Sequence, residues 1–397
     1  MAKPSKHKSK SNLLENLLPT KEVIIACGPG GVGKTTSAAA TALTIALNFD
    51  KSVLVLTIDP AKRLANALGL NGIGNKEIEI SDETFKESKL KPKGKLSVAM
   101  LDTKESWDAL IRRHAKDQAT VDHILSNPLY KNITSKFVQS HEYIAMERLY
   151  DLHSSKDYDI IVVDTPPTRN ALDFLDAPDK MADFFSSRLL KWLIAPYKSK
   201  LISLASKPFY QIADKVLGNQ FLQDIAEFFI AFQSMYDGFV QRAESVKKLL
   251  SDTRTSFLVV STLEQVPALE ARFFVDELQK RSLNLDAVIL NKVLPEHFRS
   301  KYETEIARNI QEQAKILSET LSKSSQNNSY GAETYEKVFL EIASSFLNFQ
   351  KVAQQEAALE SEFADLVSIS TKVPFHSEPI NDLNALEELG KQIWMQN

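Results

Sequence analysis

The chain contains 397 residues, of which 43% are hydrophobic and 25% are charged, and its formal net charge is −3 at pH 7. This length is sufficient for one large hydrophobic core or two smaller ones. The nearly balanced charge offers no general attraction to nucleic acid, and no segment approaches the roughly 20 apolar residues of a membrane span. We therefore expect neither a nucleic-acid partner nor a direct membrane span.

The first ten residues include four lysines, and no apolar run follows them. A secretory signal requires such a run, so we interpret residues 1–20 as a basic, flexible tail and residues 21–397 as the folded part. Cys27 is the only cysteine, which excludes an intrachain disulfide and a cysteine-based metal cluster within one chain. These features predict a cytoplasmic protein.

Seven short apolar runs predict strands, and several are apolar almost throughout, as is typical of strands covered on both faces. The stretches between them show helical spacing of apolar residues, which implies crossover connections. The predicted fold class is α/β, with a doubly wound, mainly parallel sheet. The predicted strands are 23–27, 52–58, 96–101, 159–163, 256–260, 287–290 and 366–369.

Three longer stretches have little strand signal and are predicted as α-helical insertions at about 105–155, 178–250 and 299–360. The second carries aromatic residues at helical spacing between 219 and 240. That pattern fits either packing against neighbouring helices or a hydrophobic groove for a client helix. Residues 324–331 are interpreted as an exposed loop, and residues 383–395 as a docked terminal helix.

A glycine-rich loop follows the first predicted strand and precedes an alanine-rich helical pattern. It matches G-x-x-x-x-G-K-[ST], with Gly28, Gly33, Lys34 and Thr35 at the fixed positions. Glycines let backbone N–H groups approach a polyanionic phosphate closely, and a helix N-terminus favours negative charge. Lys34 would contact the β- and γ-phosphates, and Thr35 would hold Mg²⁺. The residues predicted to bind nucleotide here are Gly28, Gly30, Gly31, Val32, Gly33, Lys34, Thr35 and Thr36.

The same loop also satisfies G-x-G-x-x-G, the fingerprint of dinucleotide sites, through Gly28, Gly30 and Gly33. A dinucleotide site does not need the Lys-Thr pair, and it favours an acidic residue about 20 positions further on. Asp59 does follow the second predicted strand, but it lies in a Thr-Ile-Asp-Pro-Ala turn with a different use. A nucleoside triphosphate is therefore favoured.

Two predicted strands lead into aspartates. Asp164 follows the apolar run 160–163 and is the predicted carboxylate that orders the Mg²⁺ shell together with Thr35. A helix cap is its alternative role. Asp59 would orient the attacking water, with a simple turn carboxylate as its alternative. With Lys34, these two aspartates are the predicted catalytic residues.

Asn291 follows the apolar run 287–290 and is predicted to contact the base, with a strand-end turn as the alternative. In the guanine-specific pattern Asn-Lys-x-Asp the last Asp contacts guanine, whereas position 294 is leucine here, which favours adenine. Pro374 is predicted to wall the base from the other side. ATP with Mg²⁺ is the expected ligand.

These motifs resemble those of the ArsA/GET-type ATPases, the arsenical pump-driving or anion-transporting branch of the MinD/ParA-like P-loop proteins. Residues 30–36 are similar to their P-loop, 57–61 to their first switch, and 164–168 with 172–175 to their second switch. Asn291 and Pro374 fall where the family contacts adenine. The resemblance implies Mg-dependent ATP hydrolysis, in which Asp59 positions water and Asp164 holds the metal shell through water. It also implies a nucleotide-gated dimer, formed with a second copy or a paralogue, that binds a protein client.

The chain departs from this family at three places. Pro29 occupies the position of the family's lysine that reaches across the dimer, so that trans-lysine mechanism is absent. Lys62 and Arg63 replace a His-Asn pair, and we hypothesise that Arg63 supplies the missing transition-state charge. The family's thiolate sites for arsenite or zinc cannot be built with Cys27 alone. An ATP-binding switch with negligible hydrolysis, or part of an anion-transport complex, is therefore the alternative function.

Overall fold

The structure is a computed structural model that describes most of the chain. The described residues are 16–58, 62–68, 70, 72, 74–128, 130, 139–167, 175–177, 179–180, 183, 228–230, 236–324, 330–367, 369–395. Residues 1–15 of the predicted tail lie outside the described residues. Leu18 falls within the predicted tail but is buried, in a 3₁₀ turn at Leu18–Thr20, so the packed chain begins before residue 21.

The described residues form one eight-stranded sheet in the order β3-β4-β2-β5-β1-β6-β7-β8. Every neighbouring pair is parallel except β3 and β4, which confirms the mainly parallel sheet. The strands are β1 Val23–Cys27, β2 Ser52–Thr57, β3 Ile78–Glu79, β4 Lys95–Met100, β5 Ile160–Asp164, β6 Thr255–Ser261, β7 Leu285–Val293 and β8 Ser370–Pro374.

Helices cover both faces of the sheet, as the crossover connections require. The described helices are α1 Lys34–Asn48, α2 Lys62–Ala67, α3 Asp82–Glu87, α4 Thr103–His114, α5 Gln118–Ser126, α6 Gln139–Ser155, α7 Tyr236–Ser251, α8 Gln265–Lys280, α9 Lys301–Ser324, α10 Ala332–Leu366 and α11 Leu383–Trp394. A second 3₁₀ turn spans Glu296–Arg299.

Alternate strand residues enter two separate cores, because successive side chains of a strand point to opposite faces. Ile24 and Val162 join a core with α1 and α11, whereas Ile25 and Val163 join a core with α4, α6 and α8. Burial on both faces explains why these central strands are apolar almost throughout. The doubly wound α/β fold predicted from the sequence is therefore confirmed.

Two strand predictions need correction. The last strand was expected at 366–369, but Leu366 ends α10 and the strand is Ser370–Pro374. β8 is an edge strand with alternating burial, and its Ser-Thr-Lys-Val-Pro sequence therefore lacks an apolar run. β3 was not predicted, because its two residues are both exposed and show no apolar pattern.

The stretches predicted as helical insertions are described in part. Helices α4, α5 and α6 occupy most of the first stretch, and α9 and α10 occupy the third. Most of 178–250, including much of its aromatic pattern, lies outside the described residues. Phe228 and Phe229 are described there; both are buried, and their ring centroids are 5.1 Å apart. The terminal helix α11 docks on α1, where the Trp394 indole N–H donates to the Thr41 hydroxyl at 3.1 Å.

Candidate functional site

The glycine-rich loop connects the carboxyl end of β1 to the first turn of α1. Gly28, Gly31 and Gly33 have φ angles of 146°, 77° and 100°, a region that glycine enters without a side-chain clash. A Cβ on Gly28 would lie 2.0 Å from the Val260 carbonyl oxygen, and one on Gly33 would lie 2.4 Å from Asn291 Nδ2. Close packing against the backbone of β6 therefore requires glycine at Gly28, and at Gly33 a side chain would displace the amide of Asn291.

Lys34 begins α1, and its side chain is buried. Its Nζ donates a hydrogen bond to the Pro29 carbonyl oxygen at 2.8 Å. The ammonium group is therefore held within the turn of the loop, close to the backbone N–H groups of a helix start. An anion at this position would meet a full positive charge together with the partial charges of the helix N-terminus.

Asp164 is the last residue of β5 and lies beside Ala26 of β1 and Thr57 of β2 in the sheet. It is 1% exposed. The Thr35 hydroxyl donates to Asp164 Oδ2 at 2.6 Å, and the Thr57 hydroxyl donates to the same oxygen at 3.1 Å. The structure thus brings together Thr35 and Asp164, the two predicted metal-binding residues. Their oxygen donors suit a hard cation such as Mg²⁺.

Asn291 and Lys292, near the end of β7, contact the back of the same loop. Asn291 Nδ2 donates to the Val32 carbonyl oxygen at 2.7 Å, and Lys292 Nζ donates to the Gly31 carbonyl oxygen at 3.2 Å. The Lys292 backbone N–H donates to Asn291 Oδ1 at 3.0 Å. Lys292 has a φ angle of 59°, which is uncommon for a residue with a side chain.

A cavity of about 950 Å³ opens over the loop and the start of α1. The predicted residues that line it are Gly31, Gly33, Lys34, Thr35, Thr36 and Asn291. Another part of the cavity wall is built by the segment after β8, from Phe375 to Asn381, and by Leu64, Asn66 and Ala67 of α2. The volume suits a nucleotide-sized ligand, since small-molecule sites span about 300–1,000 Å³.

Several predicted residues lie away from this cavity. Gly28 packs behind the loop against Val260, and Val32 is buried. Gly30 faces Pro167 of the predicted second switch: a Cβ added to Gly30 would lie 3.9 Å from the Pro167 side chain. Pro374 ends β8, and the residues after it form the wall. Asp59 lies outside the described residues, as does the side chain of Arg63.

Sequence reasoning missed three parts of the site. Thr57 was visible only as the strand residue before the Ile-Asp-Pro-Ala turn, and Lys292 only as the residue after Asn291. The wall from Phe375 to Asn381 follows a strand that was predicted too early, so its position relative to the loop was not apparent. Spatial convergence, which a motif of consecutive residues does not record, brings them to the site.

Cys27 immediately precedes the loop but is not suited to chemistry. It is fully buried, and its Sγ lies 3.4 Å from the Leu258 carbonyl oxygen. Burial raises the pKa of the Cys27 thiol far above its ordinary value, and the nearby Lys34 charge opposes this only in part. The thiol therefore stays protonated. Among the described residues, no group of three or more His, Cys, Asp or Glu side chains is placed to hold a metal ion.

The fold and this loop define a P-loop nucleotide-binding protein of the α/β class, since a buried parallel strand leads through a Lys-Thr glycine loop into a helix. The family model described as anion-transporting ATPase matches residues 21–330. The chain belongs to this family and is an ATP hydrolase.

Individual relatives have low sequence identity to this chain but align with most of it. A putative arsenical pump-driving ATPase 2 of Aquifex aeolicus is 25% identical over 287 residues, covering 69% of this chain and 81% of that protein. ATPase GET3 of Malassezia globosa is 24% identical over 283 residues, which cover 71% of this chain and 76% of that protein. An ATPase ASNA1 homolog of Entamoeba dispar is 24% identical over 305 residues, which cover 72% of this chain and 81% of that protein. In the part of the chain that is described, no helix has both the length and the apolarity to cross a membrane.

Proposed function

We propose that the chain is a Mg-dependent ATPase whose hydrolysis cycle gates a dimer that binds a protein partner. The observation that carries the metal dependence is the 2.6 Å hydrogen bond between the Thr35 hydroxyl and Asp164 Oδ2. It joins the P-loop to a carboxylate at the end of the neighbouring strand. Thr35 and Asp164 would hold Mg²⁺, which neutralises phosphate charge when it is bound.

The roles of the other residues follow from their positions around the loop. The loop N–H groups and the start of α1 bind the phosphates. When a nucleotide binds, Lys34 gives up its hydrogen bond to the Pro29 carbonyl and donates to a phosphate oxygen instead. Asn291 and the wall from Phe375 to Asn381, which follows Pro374, bound the space for adenine. Asp59 keeps its predicted role of orienting the attacking water.

Pro29 sets this proposal apart from a mechanism in which a lysine crosses between protomers. Proline supplies neither a charge nor a hydrogen-bond donor at that position. The extra transition-state charge therefore has to come from another cation, for which Arg63 is the candidate from the sequence. The dimer, formed with a second copy or a paralogue, and its client follow from the resemblance to the ArsA/GET-type ATPases.

Hydrolysis measured against protein concentration tests this proposal. We expect the rate per chain to rise with concentration and to level off where sedimentation shows a dimer. Lys34→Met should lower the rate at least about 100-fold, because it removes a charge aimed at the transferred phosphate. Omitting Mg²⁺ should have a similar effect.

Two results would contradict it. A wild-type rate equal to that of Lys34→Met at every concentration would exclude hydrolysis at this site. A rate per chain that is constant while the protein stays monomeric would exclude gating by a dimer and leave a monomeric ATPase.

A further inference from the structure

Lys292 has two unusual properties for a lysine at the end of a strand. Its backbone adopts a φ angle of 59°, and its amine contacts a main-chain carbonyl of the P-loop, 261 positions earlier in the chain. A non-glycine residue remains in this backbone region only where its surroundings hold it there. Lys89, Lys156 and Ser282 share this φ region, but each lies within two residues of the end of a helix, whereas Lys292 lies within β7. The two properties together point to a role for the side chain in the loop.

Lys292 and Asn291 hold two consecutive peptide groups of the loop. The Gly31 carbonyl that accepts from Lys292 belongs to the same peptide group as the Val32 N–H, and the Val32 carbonyl that accepts from Asn291 belongs to the group of the Gly33 N–H. A trans peptide group carries its C=O and its N–H on opposite sides. Fixing both carbonyls towards β7 therefore turns both N–H groups away from β7.

The backbone of the loop suits this orientation. Gly31 and Gly33 have φ angles of 77° and 100°. Left-handed residues interleaved with right-handed ones give the arrangement in which successive N–H groups form a concave anion-binding nest. Gly31 meets no atom within 4 Å of the position of an added Cβ, so side-chain packing does not confine that part of the loop. The amine of Lys292 supplies an anchor there.

Hydrogen bonds to other elements fix the backbone around Lys292. The Leu294 N–H donates to Glu356 Oε2 of α10 at 3.0 Å, and the Val293 carbonyl accepts from the Phe375 N–H at 3.0 Å. The Lys292 N–H itself donates to Asn291 Oδ1. These bonds hold the segment while the side chain spans the short gap to the loop.

We propose that Lys292 is a positioning residue that orients the P-loop N–H groups towards the phosphates of the nucleotide. This inference rests on the proposed function, because it concerns the same nucleotide site. Lys292 acts through Gly31 rather than on the reacting atoms. Its loss should weaken the binding of phosphate-bearing ligands and leave the binding of an unphosphorylated nucleoside unchanged.

The test compares the full-length wild type with Lys292→Met, which keeps the apolar stem and removes the amine. Titration calorimetry with ATP, ADP and adenosine, each with Mg²⁺, gives the affinities. We expect the Kd of ATP and of ADP to rise about tenfold, since hydrogen bonds from charged groups are among the stronger ones. The Kd of adenosine should stay within twofold.

Two further variants make the test specific. Lys292→Arg keeps a cationic donor and should restore most of the ADP affinity. Lys280→Met is the matched control, because Lys280 is exposed like Lys292 but lies at the end of α8 and pairs with Glu277 at 2.7 Å instead of contacting the loop. It should leave all three affinities unchanged. Thermal unfolding of each variant checks that the fold is retained.

An unchanged ADP affinity in Lys292→Met would overturn the inference, and so would an equal loss of ADP and adenosine affinity. Failure of Lys292→Arg to recover affinity would also count against it. These outcomes differ from failure of the proposed function. That failure would appear as a wild type without Mg-dependent hydrolysis, whatever the variants bind.

Discussion

The amino edge of the sheet, where its parallel strands begin, and the carboxyl edge, where they end, carry similar side chains in different settings. At the amino edge, Glu22 contacts His153 Nε2 at 2.6 Å and Arg254 Nη1 at 2.7 Å, and Arg254 is 51% exposed. At the carboxyl edge, the buried Asp164 accepts hydrogen bonds from two threonine hydroxyls, and the buried Lys34 donates to a carbonyl. The amino edge satisfies its charges with one another, near water. The carboxyl edge buries the charged groups of Lys34 and Asp164, and Lys34 lines a cavity.

This difference separates structural ion pairs from a binding site. Exposed ion pairs contribute little to stability, because water already solvates both partners. A buried charge that lines a cavity acts on a ligand of opposite charge with less screening by water. Positive φ angles occur at both edges: Gly28, Gly31, Gly33 and Lys292 lie at the carboxyl edge, whereas Lys89, Lys156 and Ser282 lie in the turns that precede β4, β5 and β7. Ligands of open α/β sheets bind at the carboxyl edge.

The largest effect is expected from Gly28→Ala, at the carboxyl edge. An added Cβ would lie 2.0 Å from the Val260 carbonyl oxygen of β6, a backbone atom that cannot rotate away. We expect a loss of about 2–4 kcal/mol in the free energy of unfolding, measured by urea denaturation.

Gly31→Ala is the matched control for this prediction. Its φ angle is 77°, but an added Cβ meets nothing within 4 Å. The expected cost is therefore only that of the left-handed backbone, about 1 kcal/mol. Equal losses in the two variants would show that the close approach of β1 and β6 does not constrain the loop.

A smaller effect is expected at the amino edge, on acidification. Burial raises the pKa of Glu22, but the hydrogen bonds from His153 and Arg254 outweigh it and hold the pKa below its ordinary value of 4.5. A depressed carboxyl pKa contributes stability above the unfolded pKa, and this contribution is lost as the pH falls through the folded pKa. Glu22→Gln should therefore flatten the fall in unfolding midpoint below about pH 4.5. An identical pH profile in the two proteins would contradict this account of the edge.

The sequence predicted the centre of the molecule better than its margins. The central strands and the P-loop are recorded in consecutive residues, because burial on both faces gives apolar runs and phosphate binding needs glycine at fixed spacing. Edge strands carry weaker patterns, so β8 was placed too early and β3 was missed.

The candidate site divides along similar lines. Lys34 and Thr35 were predicted from the glycine-loop motif, and Asp164 and Asn291 from their places after apolar runs. All four converge on one loop. Thr57 and Lys292 were not predicted, since a threonine within a strand and a lysine after an asparagine have many other uses. Their contacts depend on β2 and β7 lying on opposite sides of β1 in the sheet, which only the fold provides.

The central claim is that the carboxyl edge is a Mg·ATP site in which Asp164 supports the metal. Titration calorimetry of ATP, with Mg²⁺ and with EDTA, on the wild type and Asp164→Asn tests it most directly. We predict that Mg²⁺ tightens ATP binding at least about tenfold in the wild type and has little effect in Asp164→Asn, which keeps its metal-free affinity. The same increase on adding Mg²⁺ in both proteins would contradict the account.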